Sequence, residues 1–128
     1  MQNYIDPRQL GVVRAITTQA VGADTEVLSD AINMEGWEYL VYIVNGGTNA
    51  ATSGTVTVVI KESATIGGTY TAVTGSSFTY ATGDDGVFKF GIMKSSAMTL
   101  GSFAKVSVTG GTGGTFTAGV DCILVNSK

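Results

Sequence analysis

The stretch Trp37-Glu38-Tyr39-Leu40-Val41-Tyr42-Ile43-Val44, followed after a gap by Thr55-Val56-Thr57-Val58-Val59-Ile60-Lys61-Glu62, decides how the rest of the chain is read. Both runs have the two-residue period of β-strands. In the first, Leu40, Tyr42 and Val44 share one face while Tyr39, Val41 and Ile43 share the other. Both faces are apolar enough to be covered, which places this strand inside a sandwich. In the second, Val56, Val58 and Ile60 point one way and Thr55, Thr57 and Lys61 the other, giving one dry side and one wet side. Neither run carries a group with the chemistry of a catalyst.

Composition extends the pattern to the whole chain. With 18 Thr and 15 Val against 5 Leu, and 18 Gly with a single Pro, the balance favours strands and tight turns over helices, because β-branched residues fit a pleated surface. At 128 residues one domain suffices, and a domain of that size buries roughly two-thirds of its unfolded surface. Charged residues make up 13%, about half the usual share, and mean hydropathy is +0.28. The surface is therefore largely Thr, Ser, Asn and Gly. Such a surface suits a protein that packs against copies of itself or another particle, although small extracellular modules share it.

Net charge is −3 and the sequence pI about 4.6, so too few cations are present to neutralise phosphates, and no nucleic-acid partner is expected. Acids cluster between Arg14 and Lys61 (Asp24, Glu26, Asp30, Glu35, Glu38), whereas residues 86–128 carry Lys89, Lys94, Lys105 and Lys128 against Asp121. Either these are solvated charges on separate strands, or the asymmetry aligns subunits head to side.

The chain contains no His and one Cys. The common zinc sites and the Ser-His and Cys-His nucleophile arrangements are thereby excluded, and neither an enzyme nor a cofactor is expected. Cys122 lies in phase with Phe116, Ala118 and Leu124, as a small core hydrophobe would. The pair Asp84-Asp85 between Gly83 and Gly86 is a fragment of the oxygen set that calcium needs, and reads as a turn. Gly110-Gly111-Thr112-Gly113-Gly114 lacks the Lys of a phosphate loop and reads as a flexible hairpin tip. Trp37, after Gly36 at a strand start, is a core lid or a stacking platform for a sugar ring. The amino terminus lacks the basic and apolar regions of a secretion signal and no apolar run is long enough to span a bilayer, so a soluble, cytoplasmically made chain with no membrane partner is expected.

In chain order, residues 1–10 form an arm carrying Tyr4, Ile5 and Leu10, with Pro7 holding Asp6 extended. It either lies along a neighbouring subunit by strand addition or frays. Residues 11–128 are one domain. Strands are expected at 12–17, 25–34 and 37–44, then a loop at 45–54 whose Asn45, Thr48 and Asn49 are candidate contacts. After the 55–62 strand, Gly67-Gly68 signals a hairpin returning through Tyr70, Ala72 and Val73, and a short piece follows around Phe78 and Tyr80. Residues 87–93 place Phe88, Phe90 and Ile92 inward and Lys89 outward. Residues 94–102 are irregular over Met98 and Leu100. Strands at 103–109, with Ala104, Val106 and Val108 on one face, and 115–125 complete the chain. The fold class is all-β: a two-sheet antiparallel sandwich of about eight strands, jelly-roll-like, with no substantial helix, ahead of an immunoglobulin-like sandwich or small barrel.

The order of segments Gly36-Trp37-Glu38-Tyr39-Leu40, Val58 to Ser63 with Gly67 to Gly75, Phe88-Lys89-Phe90, Ala104 to Thr109 and the closing apolar strand resembles the small jelly-roll capsid decoration, or cement, proteins of tailed bacteriophages. The resemblance covers about residues 25–125 and is a pattern of strands and turns without a fixed binding motif. It implies a protein on the outer surface of a phage capsid that stabilises it by bridging capsomers. The implied partners are the major capsid protein and copies of itself in a dimer or trimer. The alternative is a glycan- or receptor-binding module of a phage fibre, tail or adhesin.

Overall fold

The computed structural model describes residues 10–86 and 88–126. The candidate arm residues Tyr4 and Ile5 lie outside them. Among the described residues the strands are β1 (Leu10–Val21), β2 (Glu26–Leu28), β3 (Ile32–Asn33), β4 (Tyr39–Asn49), β5 (Val56–Ser63), β6 (Thr71–Ala72), β7 (Phe78–Tyr80), β8 (Phe88–Lys94), β9 (Phe103–Thr109) and β10 (Phe116–Val125), with one 3-10 turn at Ser95–Ala97.

Two antiparallel sheets result. One has the order β1-β10-β4-β8; the other runs β2-β9-β5-β6, with β3 also on β9 and β7 also on β5. Taking β2 with β3, and β6 with β7, as interrupted strands leaves eight runs that cross from sheet to sheet at every connection except the hairpin from β5 to β6 and β7. That alternation, with β10 inserted between β1 and β4 and β9 between β2 and β5, is a jelly roll.

The core is the space between the sheets. Leu40, Tyr42 and Val44 of β4 and Ala118, Val120 and Cys122 of β10 face Val56, Val58 and Ile60 of β5 and Ala104, Val106 and Val108 of β9, all buried. The strict alternation of these four strands puts every second residue into that layer. Aromatic rings tie the sheets together: Tyr42 stacks on Phe78 at 5.7 Å and Tyr80 lies 4.9 Å from Phe116. The Tyr42 hydroxyl donates to the Ser76 carbonyl, so its polar end is satisfied where it is buried.

Several boundaries differ from the expectations. The first strand runs from Leu10 to Val21 because register shifts after Arg14 and after Ile16 absorb the break in its alternation and deliver Val21 to the core. The expected strand 25–34 is broken at Ser29. Its hydroxyl accepts the Val106 N–H at 2.9 Å and its own N–H donates to the Val106 carbonyl at 2.9 Å, bending the chain between β2 and β3. The expected loop 45–54 begins at Ala50, since β10 and β8 keep pairing with β4 as far as Asn49 and Asn45 respectively. Leu100, expected beneath its segment, is exposed, while Met98 packs on the core.

Residues 110–114 are not a flexible hairpin tip. They carry the chain from β9 in one sheet to β10 in the other, and are clamped on both sides. The Asp24 N–H donates to the Gly111 carbonyl at 3.0 Å, and Thr112 bridges Ser53. A Cβ at Gly110 would overlap the Gly22 carbonyl, and one at Gly114 the Ala50 carbonyl. Glycine is required there by close backbone approach.

The largest correction concerns β8. Phe88, Phe90 and Ile92 point outward, 57%, 62% and 60% exposed, whereas Met93 is buried. The reason is Tyr42: its ring occupies the space beside Gly91, where a Cβ would fall within 2.8 Å of Cε2 and closer still to Cζ. Only a residue without a side chain fits opposite Tyr42, and that fixes the phase of the whole strand.

Candidate assembly surface

The outward phase of β8 continues across the four-stranded sheet. Cross-strand register sets Leu10, Val125, Tyr39 and Lys94 in one row, Val12, Ile123, Val41 and Ile92 in the next, Arg14, Asp121, Ile43 and Phe90 in the third, and Asn45 beside Phe88 at the end. Residues directly opposite on adjacent strands share a face, so ten apolar side chains form one contiguous outer surface. Val12 at one edge is 78% exposed; Val41, Ile43, Ile123 and Val125 in the middle are half-buried by their neighbours.

Charge on this face is sparse and largely balanced. The Arg14 guanidinium is paired with the Asp121 carboxylate across β1 and β10, and Lys94 sits 6.0 Å from the centre of the Tyr39 ring. A contiguous apolar area of this extent, rimmed by polar groups, is a candidate interaction surface.

The candidate contacts read from the sequence fall in different places. Leu10 and Asn45 lie on this face at opposite ends of it, and Thr48 is exposed further along β4. Asn49 is buried: its side-chain amide donates to the Ala81 carbonyl at 3.1 Å, its side-chain oxygen accepts the Ala51 N–H at 3.2 Å, and its own N–H donates to Asp85 at 2.6 Å. The structure gives Asn49 a role inside the molecule. The residues that sequence reasoning missed are Val12, Phe88, Phe90, Ile92, Ile123 and Val125. The signal that could have found them was the two-sided apolar pattern of residues 39–44, repeated by Ile123 and Val125 in β10.

Polar groups elsewhere hold the fold. Asp84 accepts the Ala81 N–H at 2.8 Å and Asp85 the Asn49 N–H, so both carboxylates tie down their turn. Glu62, 2% exposed, accepts the N–H groups of Thr99 at 2.7 Å and Leu100 at 2.5 Å, strapping the β8–β9 connection to β5. Glu26 receives Lys61 and Ser107 at 2.5 Å each, and these hydrogen bonds hold its carboxyl below the usual range. Burial pushes the Cys122 thiol up to about 12, with the Asp121 charge adding to it, leaving a thiol that is not a nucleophile at neutral pH. Trp37 is half-buried against the core, with its ring over Gly11, whose Cβ would touch it at 3.3 Å; it closes one end of the sandwich as a lid.

No protein-family model and no curated protein matches the chain. Solved structures do share its fold. A chain from the pili described as disulfide-linked Bacillus endospore appendages superposes with a TM-score of 0.50 at 17% identity, covering 100% of this chain and 99% of that one. A chain from infectious bursal disease virus, Gx strain, superposes with a TM-score of 0.53 at 10% identity, covering 99% of this chain. This chain spans only 36% of that viral chain's length. At these identities the likeness is one of fold.

Proposed function

We propose that this chain is a structural protein of a tailed-phage virion, seated on the outer surface of the capsid and stabilising it by bridging capsomers, with the major capsid protein and copies of itself as partners. The observation that carries the reading is the contiguous apolar outer face of the four-stranded sheet on a jelly roll, a surface whose stable state is a covered one. The segment resemblance to phage decoration proteins supports it, as does the fold shared with chains of two assembled particles, a pilus and a virus. The disulfide links of those pili have no counterpart on this surface, since the only cysteine is fully buried. Association here is therefore non-covalent, and many weak contacts on one symmetric particle add through avidity.

The test is co-sedimentation of purified protein with undecorated heads of its own phage, followed by heat or low-salt challenge. Saturable binding that raises the temperature of DNA release is expected. Protein that stays in the supernatant at every ratio would overturn the reading. The glycan-binding alternative needs Trp37 as an open platform, and its ring lies against Gly11 instead.

A further inference from the structure

We infer that the outer face of the four-stranded sheet is a self-association surface, and that its occupant is the same face of a second copy of this chain. This rests on the structural-assembly reading above and names the partner of its apolar face.

Extent is the first argument. Four strands and the seven residues of β8 give a footprint of roughly 19 by 23 Å per copy. Two such footprints total close to 900 Å² before side-chain relief is counted, and relief plus rim carries the pair past the roughly 1,000 Å² that separates a specific interface from an adventitious one.

Charge is the second argument. The chain carries −3 overall, yet the acid in these rows, Asp121, is already paired with Arg14, and Lys94 is the remaining charge. Two copies can meet here without opposing acids, whereas a pairing through the β2 edge would bring Glu26 of both copies together.

Shape is the third. The face is uneven: Phe88, Phe90 and Ile92 stand along β8 at one edge, and the smaller Val12 lies on β1 at the other. A two-fold axis along the strand direction lays β1 of each copy over β8 of its partner. The bulky edge then fills the thin one, Ile92 meets Val12, and the Phe90 ring comes beneath the Arg14 guanidinium.

The competing occupant is this chain's own segment 1–9. It offers Met1, Tyr4 and Ile5 as its large apolar side chains, against ten on the face, and would leave most of the surface uncovered.

Sedimentation equilibrium of the full chain, without capsids, tests the inference at concentrations up to about 1 mM, because a pair just past roughly 1,000 Å² sits at the weak end of specific interfaces. The expected mass is twice the 13.1 kDa of one chain, and a chain lacking residues 1–9 should pair equally well. Phe90→Asp and, on the opposite edge, Val12→Asp should each raise the dissociation constant by about 30-fold or more, as loss of an interface hot spot does. Circular dichroism should show the same folded spectrum for both. Val12 is 78% exposed, so that variant folds even if the Phe90 change does not. A wild-type chain that remains single, a dimer unaffected by Val12→Asp, or a single chain that associates only when residues 1–9 are removed would each overturn the inference. Failure to bind heads would leave this result untouched, so the two readings fall separately.

Discussion

Phe90→Ala and Gly91→Ala, two changes at adjacent positions of β8, should have opposite sizes to those that side-chain bulk suggests. Phe90 is 62% exposed, so truncating it in the isolated chain forfeits only a minor part of a buried ring's contribution, under about 1 kcal/mol. Were Phe90 inward, as alternation alone would have it, the loss would be about 3–5 kcal/mol. Gly91→Ala adds one methyl group, but that methyl meets the Tyr42 ring. Overpacking of this kind costs about 1–3 kcal/mol, and moving the ring off the Ser76 carbonyl costs about 1 kcal/mol more. The reduced entropy of the unfolded chain returns about 0.4–1 kcal/mol. The net is a loss of about 2 kcal/mol, or roughly 6–10 °C in Tm for a domain of this size. Urea unfolding followed by circular dichroism, at a concentration where sedimentation gives one chain, measures both. A large loss for Phe90→Ala together with a neutral Gly91→Ala would refute the phase of β8, and with it the outer surface built on that phase.

Other outcomes follow from the polar groups. Cys122, Tyr42 and Tyr80 are each held protonated, with values pushed to about 12 chiefly by burial. Their unfolded values lie near 9.0 for the thiol and 10.0 for the phenols. Above the unfolded values the folded chain binds more protons than the unfolded one, so this stability is fully present below about pH 9 and is lost as pH rises toward 12. A urea series across that window should show the decline, and Cys122→Ala should remove its earliest part. At pH 8 a thiol reagent should label the native chain only at its rate of unfolding, and immediate stoichiometric labelling would contradict the burial of Cys122. Glu62→Ala should free the Thr99 and Leu100 amides, seen as at least tenfold faster hydrogen exchange there, and should cost about 2 kcal/mol. Glu62→Gln keeps one acceptor oxygen and should recover part of both effects. Gly114→Ala should be among the most damaging single changes, at about 3 kcal/mol or more in thermal unfolding, because the added methyl meets the backbone of Ala50 and not a movable side chain.

Strands β5 and β9 were legible in the sequence because each alternates between residues that must be dry and residues that tolerate water, and β10 because Phe116, Ala118, Val120, Cys122 and Leu124 recur at every second position. The phase of β8 was not, because alternation gives two faces without saying which is inward, and the deciding fact is a ring on β4 that occupies the place of the Gly91 side chain. The run Asn45-Gly46-Gly47-Thr48-Asn49 has the composition of a loop, yet it extends β4 because β10 pairs with it through to Asn49 and the Asp85 carboxylate accepts the last N–H. As for the candidate surface, the two-faced apolar pattern of residues 39–44 was visible from the start. By itself it places the strand inside a sandwich. Periodicity reports that a face wants cover; only the sheet order shows that no strand among the described residues supplies it.

The position of β10 has a consequence in time. β1 and β4 do not pair with one another; each pairs with β10, which lies between them. A nascent chain therefore cannot close the four-stranded sheet until the ribosome has delivered Val125, more than a hundred residues after the first strand emerged. Pairings so distant in sequence form slowly. Until then the rows of the outer face are incomplete, lacking everything that β10 contributes and the docking of β1. Copies still being translated on one message can present at most the β4–β8 half of it, so association through the whole face waits for β10.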